Sequence, residues 1–138
     1  MVRLELEAEG VVVQLGQLEA IACLSRRKWI IPLQSVERIE VQAGYLRPVS
    51  SHEVKELKLC GSTIPYWFTG GTFSKLDESN RVFYCYYFSD RERTVVLTLR
   101  GESVKRVIVT LDAKNIEIVD QIREGSSQLA GLVAHINR

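Results

Sequence analysis

Apolar and polar residues alternate from the start of the chain. Leu4, Leu6 and Ala8 fall on one side and Arg3, Glu5, Glu7 and Glu9 on the other, which is the period of a half-buried strand. Val11 to Leu15 forms a second run, Gly16-Gln17 reads as a tight turn, and Leu18 to Leu24 reads as the strand that follows. The polar knot Ser25-Arg26-Arg27-Lys28 precedes Trp29-Ile30-Ile31. Pro32 cannot donate to a ladder and therefore marks a strand end, a bulge or an edge. Ile39 and Val41, set between Arg38, Glu40 and Gln42, predict another strand that closes near Gly44.

The pattern dissolves from Tyr45 to Leu57, where Pro48, His52 and mixed charges predict the longest irregular connection. Gly61 to Gly71 follows, with Pro65, Tyr66, Trp67 and Phe68 between glycines. Thr72 to Lys75 and Val82 to Phe88 read as a hairpin, turned by Asp77, Ser79 and Asn80. Thr94 to Arg100 and Val104 to Leu111 read as a second one around Gly101, with Val95, Leu97 and Leu99 facing Val107, Val109 and Leu111. The period then changes. Asp112 suits an N-cap, and Ile116, Val119 and Ile122 predict a helix over Ala113 to Arg123 that Gly125 ends. Leu129, Leu132, Val133 and Ile136 recur at i, i+3, i+4 and i+7 and predict a second, short tail helix.

About seven short strands precede the first clear helical period, and no helix lies between them to carry crossovers. The expected fold is mainly β: an antiparallel barrel of two orthogonal sheets with the C-terminal helix over its open end. Residues 1–124 form that unit and residues 125–138 the amphipathic tail.

The stretch Arg26-Arg27-Lys28-Trp29-Ile30-Ile31-Pro32-Leu33, followed by Val36, Ile39 and Val41, resembles the strand 2 to strand 3 passage of bacterial pleckstrin-homology-like domains. Gly61-x-x-Ile64-Pro65 with Gly70-Gly71-x-Phe73 is similar to the Gly/Pro-rich middle of some members, and Lys105 to Arg123 to their closing strand and helix. The resemblance spans most of residues 11–123 as a diffuse pattern. It implies a seven-stranded barrel capped by a helix, in a family made mostly of binding or assembly modules. Its phosphoinositide-binding members place basic residues around the strand 1 to strand 2 loop. Here that loop is Gln14-Leu15-Gly16-Gln17, without a cation, so the lipid motif does not carry over.

The chain has 138 residues, 46% hydrophobic and 25% charged, which fits one globular domain. Its 18 Lys and Arg against 17 Asp and Glu leave a net charge of +1, an argument against a nucleic-acid-gripping protein. No apolar run is long enough for a transmembrane helix, and the glutamates of the first residues interrupt any secretory h-region. Cys23, Cys60 and Cys85 form no CxxC pair; the expectation is buried thiols in a reducing cytoplasm.

No catalytic set stands out. His52 and His135 lie beside no nucleophile, and two histidines without paired cysteines do not make a zinc site. Gly70-Gly71-Thr72-Phe73-Ser74-Lys75 lacks phosphate-loop spacing and reads as a sharp turn into a strand. Arg26, Arg27 and Lys28 are the candidate anion-binding residues. In Phe83-Tyr84-Cys85-Tyr86-Tyr87-Phe88, alternate residues face opposite sides, and one core accepts only one of them. Tyr66, Trp67, Phe68, Tyr84, Tyr86, Phe88, Leu129, Leu132 and Val133 are therefore the candidate partner contacts. The reading is a non-catalytic, cofactor-free cytoplasmic domain that acts through protein association, with itself as a homo-oligomer or with another protein. Binding of a small ligand or anionic lipid through Arg26 to Lys28, including peripheral membrane contact, is the alternative. An enzyme centred on His52 is the weakest reading.

Overall fold

β-Branched and aromatic residues at alternate positions build two open sheets. The computed structural model of the chain describes residues 2–23, 25–41, 57–64, 67–74 and 81–136. In chain order the elements are β1 (Arg3–Glu7), β2 (Gly10–Gln14), α1 (Gln17–Ala22), β3 (Lys28–Ile31), β4 (Val36–Val41) and β5 (Leu57–Ile64), then β6 (Phe68–Ser74), β7 (Arg81–Tyr87), β8 (Thr94–Leu99), β9 (Val104–Thr110) and α2 (Ile118–Ile136). Short 3₁₀ turns at Leu33–Ser35 and Phe88–Arg93 precede β4 and β8. A three-stranded sheet runs β1-β2-β3 and a six-stranded sheet runs β4-β8-β9-β7-β6-β5.

The alternation at the N-terminus does form strands. Leu4 pairs with Val13 and Leu6 with Val11, while Val13 and Val11 also pair with Trp29 and Ile31, so these six side chains share the inner face. The Ala8-Glu9 turn returns the chain at Gly10, whose φ of 141° and closeness to the Ile31 carbonyl leave no room for a Cβ (2.2 Å). In the larger sheet Val95 pairs with Val109 and Leu97 with Val107, the expected hairpin, and all four are buried. Val36 and Ile39 both face inward although three positions apart, because a bulge shifts the β4 register between Val36 and Arg38.

Four expectations change. First, the architecture is nine strands in two sheets among the described residues, with neither sheet order closing into a single seven-stranded barrel. Second, the larger sheet is not wholly antiparallel: β7 and β9 run parallel, Phe83 beside Val107 and Cys85 beside Val109. The connection from β7 skips one position to place β8, and β9 turns back antiparallel to β8 into that slot. A strand thus serves as the crossover that sequence pattern assigns only to helices.

Third, Gln17–Ala22 is a helix rather than part of a strand. Gln, Leu, Glu and Ala are strong helix formers, and the buried positions Glu19, Ala20 and Cys23 follow helical spacing while Leu18 and Ile21 face solvent. Fourth, one helix runs from Ile118 to Ile136 through Gly125 and Gly131 instead of two. Asp112 stabilises a turn by accepting from the Lys114 N–H, 3.2 Å, and α2 begins only at Ile118. A helical glycine costs about 1 kcal/mol relative to alanine. Burial of Val119 and Ile122, with the bond from Ser126 Oγ to the Val36 carbonyl (2.8 Å), offsets that across Gly125. The expected irregular segment Tyr45 to Leu57, apart from Leu57 itself, and the turn at Asp77, Ser79 and Asn80 lie outside the described residues.

α2 also protects an edge. Besides Ser126, Arg123 Nη2 donates to the Ile39 carbonyl at 3.1 Å, so polar backbone groups of the outermost strand β4 find partners on the helix.

Candidate functional site

At the β3 side the two sheets part to form a cleft of about 400 Å³. β3 contributes Trp29, Ile30 and Ile31 to its lining, and Pro32 ends the strand just beyond. From the larger sheet come Thr72 of β6, Phe83 of β7, Leu99 of β8, and Val104 and Val107 of β9. Cross-strand register brings three of them together: Phe83 stands opposite Thr72 on one side and Val107 on the other. The Trp29 ring meets Phe83 edge-on, with centroids 4.9 Å apart and an interplanar angle of 80°.

The mouth is polar. Ser25 and Arg26, in the link from α1 to β3, face Glu102 and Ser103 in the β8–β9 turn. Glu102 Oε1 accepts from the Ser35 hydroxyl at 2.9 Å, which holds that lip against the turn before β4. Arg26 is exposed and makes no ion pair among the described residues, so its guanidinium is available to a visiting anion. The arrangement is an apolar pocket floor with charge at the entrance and no acid–base–nucleophile constellation along its walls.

Of the candidate anion-binding residues, Arg26 lines this cleft and Arg27 and Lys28 do not, although both are exposed. Lys28 lies two positions from Ile30 on β3, and of these two only Ile30 lines the cleft. Of the candidate partner contacts, four have described side chains: Phe68, Tyr84, Tyr86 and Trp67. Tyr86 is only 1% exposed and Phe68 is packed against Tyr87, so neither offers contact area. Tyr84 is half-buried, edge-on to Phe73. Among the described members Trp67 is the exposed one, at 54%. Tyr66 and the side chains of Phe88, Leu129, Leu132 and Val133 lie outside the described residues, as do His52 and the side chain of His135. The premise that only one face of the β7 aromatic ribbon is covered therefore fails at Tyr86.

A second cluster has no signature in the strand pattern of the sequence. Glu19 on α1 and Cys23 at its C-cap stand four residues apart, one helical turn, on one side of the helix. They meet Cys85 and Tyr87, which share a face of β7. Tyr87 Oη donates to Glu19 Oε1 at 3.1 Å, and burial together with the Glu19 carboxylate pushes the Tyr87 phenol well above its ordinary range. Cys23 and Cys85 are both fully buried. Gly70 and Gly71 lie inside β6 and not at a turn; a Cβ on Gly70 would come within 2.7 Å of Cys23 Sγ and 2.5 Å of the Phe68 ring. Gly70 thus makes room for the thiol.

No helix among the described residues is long and apolar enough to cross a membrane, and no group of three or more His, Cys, Asp or Glu residues there could hold a metal ion. No family model, curated protein or solved structure matches the chain.

Proposed function

We propose that this protein is a non-catalytic binding module whose inter-sheet cleft takes a small amphipathic molecule with an apolar body and an anionic head. The observation that carries the reading is the division of the cleft walls. Trp29, Ile31, Phe83, Leu99 and Val107 form an apolar interior, and Arg26 stands at the polar mouth. The volume, about 400 Å³, suits a small ligand. Each methylene withdrawn from water contributes about 0.8 kcal/mol, and a charge-assisted bond to Arg26 would fix the orientation of the head. The reading rests on the cleft and not on a family resemblance.

Trp29 and Trp67 are the two tryptophans, so Trp67→Phe leaves the cleft indole as the reporter. Titration of that variant with an alkyl phosphate or an alkyl carboxylate should give a saturable change in Trp29 emission. Arg26→Glu should weaken it about tenfold, corresponding to about 1.4 kcal/mol, and Val104→Phe, which fills the half-buried mouth, should remove it. Emission that never saturates, or binding that ignores both substitutions, would refute the reading.

A second reading, self-association, is supported by a different observation. Leu18 and Ile21 are 79% and 64% exposed on the outer side of α1. Sedimentation equilibrium of the wild-type chain and of Leu18→Glu/Ile21→Lys tests it: a dimer lost in the double variant supports association, and a monomer in both excludes it.

A further inference from the structure

The cluster between α1 and β7 is separate from the cleft, and its geometry is specific. Cys23 is the C-cap of α1, and its Sγ lies 3.6 Å from the carbonyl oxygen of Tyr84, the residue before Cys85. The same Sγ sits over Gly70, which stands directly opposite Cys85 in the β6–β7 ladder. These contacts, from two neighbouring strands, seat the Cys23 thiol, which donates to the Tyr84 carbonyl, on the same side of the sheet as Cys85. We propose that Cys23 and Cys85 are an oxidisable dithiol that closes to an intramolecular disulfide with hydrogen peroxide, tying α1 of the smaller sheet's connection to β7 of the larger sheet.

The surroundings divide the roles of the two sulfurs. The Cys85 thiol, the largest influence, and a hydrogen bond from the Gly71 N–H lower the Cys23 thiol below its ordinary range. Cys85 is pushed up, by Cys23 first and by burial second. Cys23 caps the short helix that has to open, so it is the sulfur that meets peroxide first. Its thiolate breaks the peroxide O–O bond, takes one oxygen as a sulfenic acid and releases hydroxide, which leaves as water with the proton that Cys23 gave up. Cys85 then attacks the Cys23 sulfur; the S–S bond forms, the S–O bond breaks, and the second water leaves with the Cys85 proton. Two thiols lose two electrons and one peroxide becomes two waters. Both sulfurs are sealed from solvent, so the reaction requires α1 to open. A helix of six residues that exposes Leu18 and Ile21 is a small unit to displace.

The test uses the full chain, reduced, freed of reductant, treated with hydrogen peroxide at a temperature where circular dichroism remains native, and quenched with iodoacetamide. The expected product has lost the mass of two hydrogen atoms, yields a Cys23–Cys85 linked peptide, carries alkylation at Cys60 alone, and melts higher until dithiothreitol returns it. Cys60→Ser should react likewise. Cys85→Ser, or Cys85→Ala should the serine variant not fold, should instead leave a Cys23 sulfenic acid that dimedone traps. A linked peptide containing Cys60, or unchanged thiols in the folded protein after prolonged peroxide, overturns the proposal; the wild-type peptide map separates these outcomes without any variant.

Discussion

The side-chain amide of Asn115 pairs with both backbone groups of Leu4: Oδ1 accepts from the Leu4 N–H at 2.6 Å and Nδ2 donates to the Leu4 carbonyl at 2.9 Å. One residue thereby does for the β1 edge what a neighbouring strand would do. Asn115→Ala removes both bonds and should destabilise the fold by about 1–3 kcal/mol. The check is urea unfolding, with a lower midpoint and an unchanged m-value; a midpoint equal to wild type would show that the pairing contributes nothing net.

Gly125 distinguishes one continuous helix from two. Its Cβ position lies 3.5 Å from Leu33 Cδ2, an ordinary contact, and it sits inside α2. Gly125→Ala should therefore raise stability by about 0.5–1 kcal/mol. Were Gly125 a helix terminator, the same change would lower the melting temperature.

Gly70 makes the opposite prediction. A methyl group there would meet Cys23 Sγ and the Phe68 ring at 2.7 and 2.5 Å, inside the core. Gly70→Ala should cost about 1–3 kcal/mol. Cys23→Ala should recover part of that loss, because it removes one of the two obstructing groups, and the double-mutant cycle measures the recovery. Strict additivity would contradict the packing described for the thiol.

The Tyr87 phenol is raised in the folded chain, by burial and by Glu19, above the ordinary value of 10.0. The unfolded chain therefore releases this proton first as pH rises past about 10, and stability falls from there upward while remaining complete below. Tyr87→Phe should be weaker than wild type by about 1 kcal/mol at neutral pH, through the lost bond to Glu19, yet should lose less between neutral and strongly alkaline pH. Chemical unfolding at a series of pH values gives both curves. Parallel curves would mean that Tyr87 does not titrate differently in the two states.

Much of the scaffold is written in local patterns. The hairpin pairs Val95–Val109 and Leu97–Val107 follow from period-2 alternation around Gly101, and the inner positions Leu4, Val11 and Val13 follow from the same rule. α1 is not legible in this way, because Leu18 to Leu24 is apolar enough for either element, and its helix-forming residues settle on a helix only with tertiary burial of Ala20 and Cys23. Read as a strand, the segment spreads Glu19 and Cys23 about 13 Å apart and so conceals the cluster that one helical turn brings onto β7. The parallel β7–β9 pairing is beyond reach for another reason: the slot that β9 fills depends on a strand order that no local pattern encodes. The cleft is legible only in fragments. Arg26 and Trp29 stand out as a basic cluster and a strand, but their meeting with Phe83, Leu99 and Glu102 depends on how the sheets face each other.

The central claim, that the gap between the sheets is a ligand site, is tested most directly by methyl NMR of the Ile, Leu and Val groups during titration with an alkyl phosphate. The account predicts saturable shifts at Ile31, Leu99, Val104 and Val107, with Leu18 and Ile21 on α1 unmoved. Shifts confined to Leu18 and Ile21, or none at any of these methyls, would contradict it.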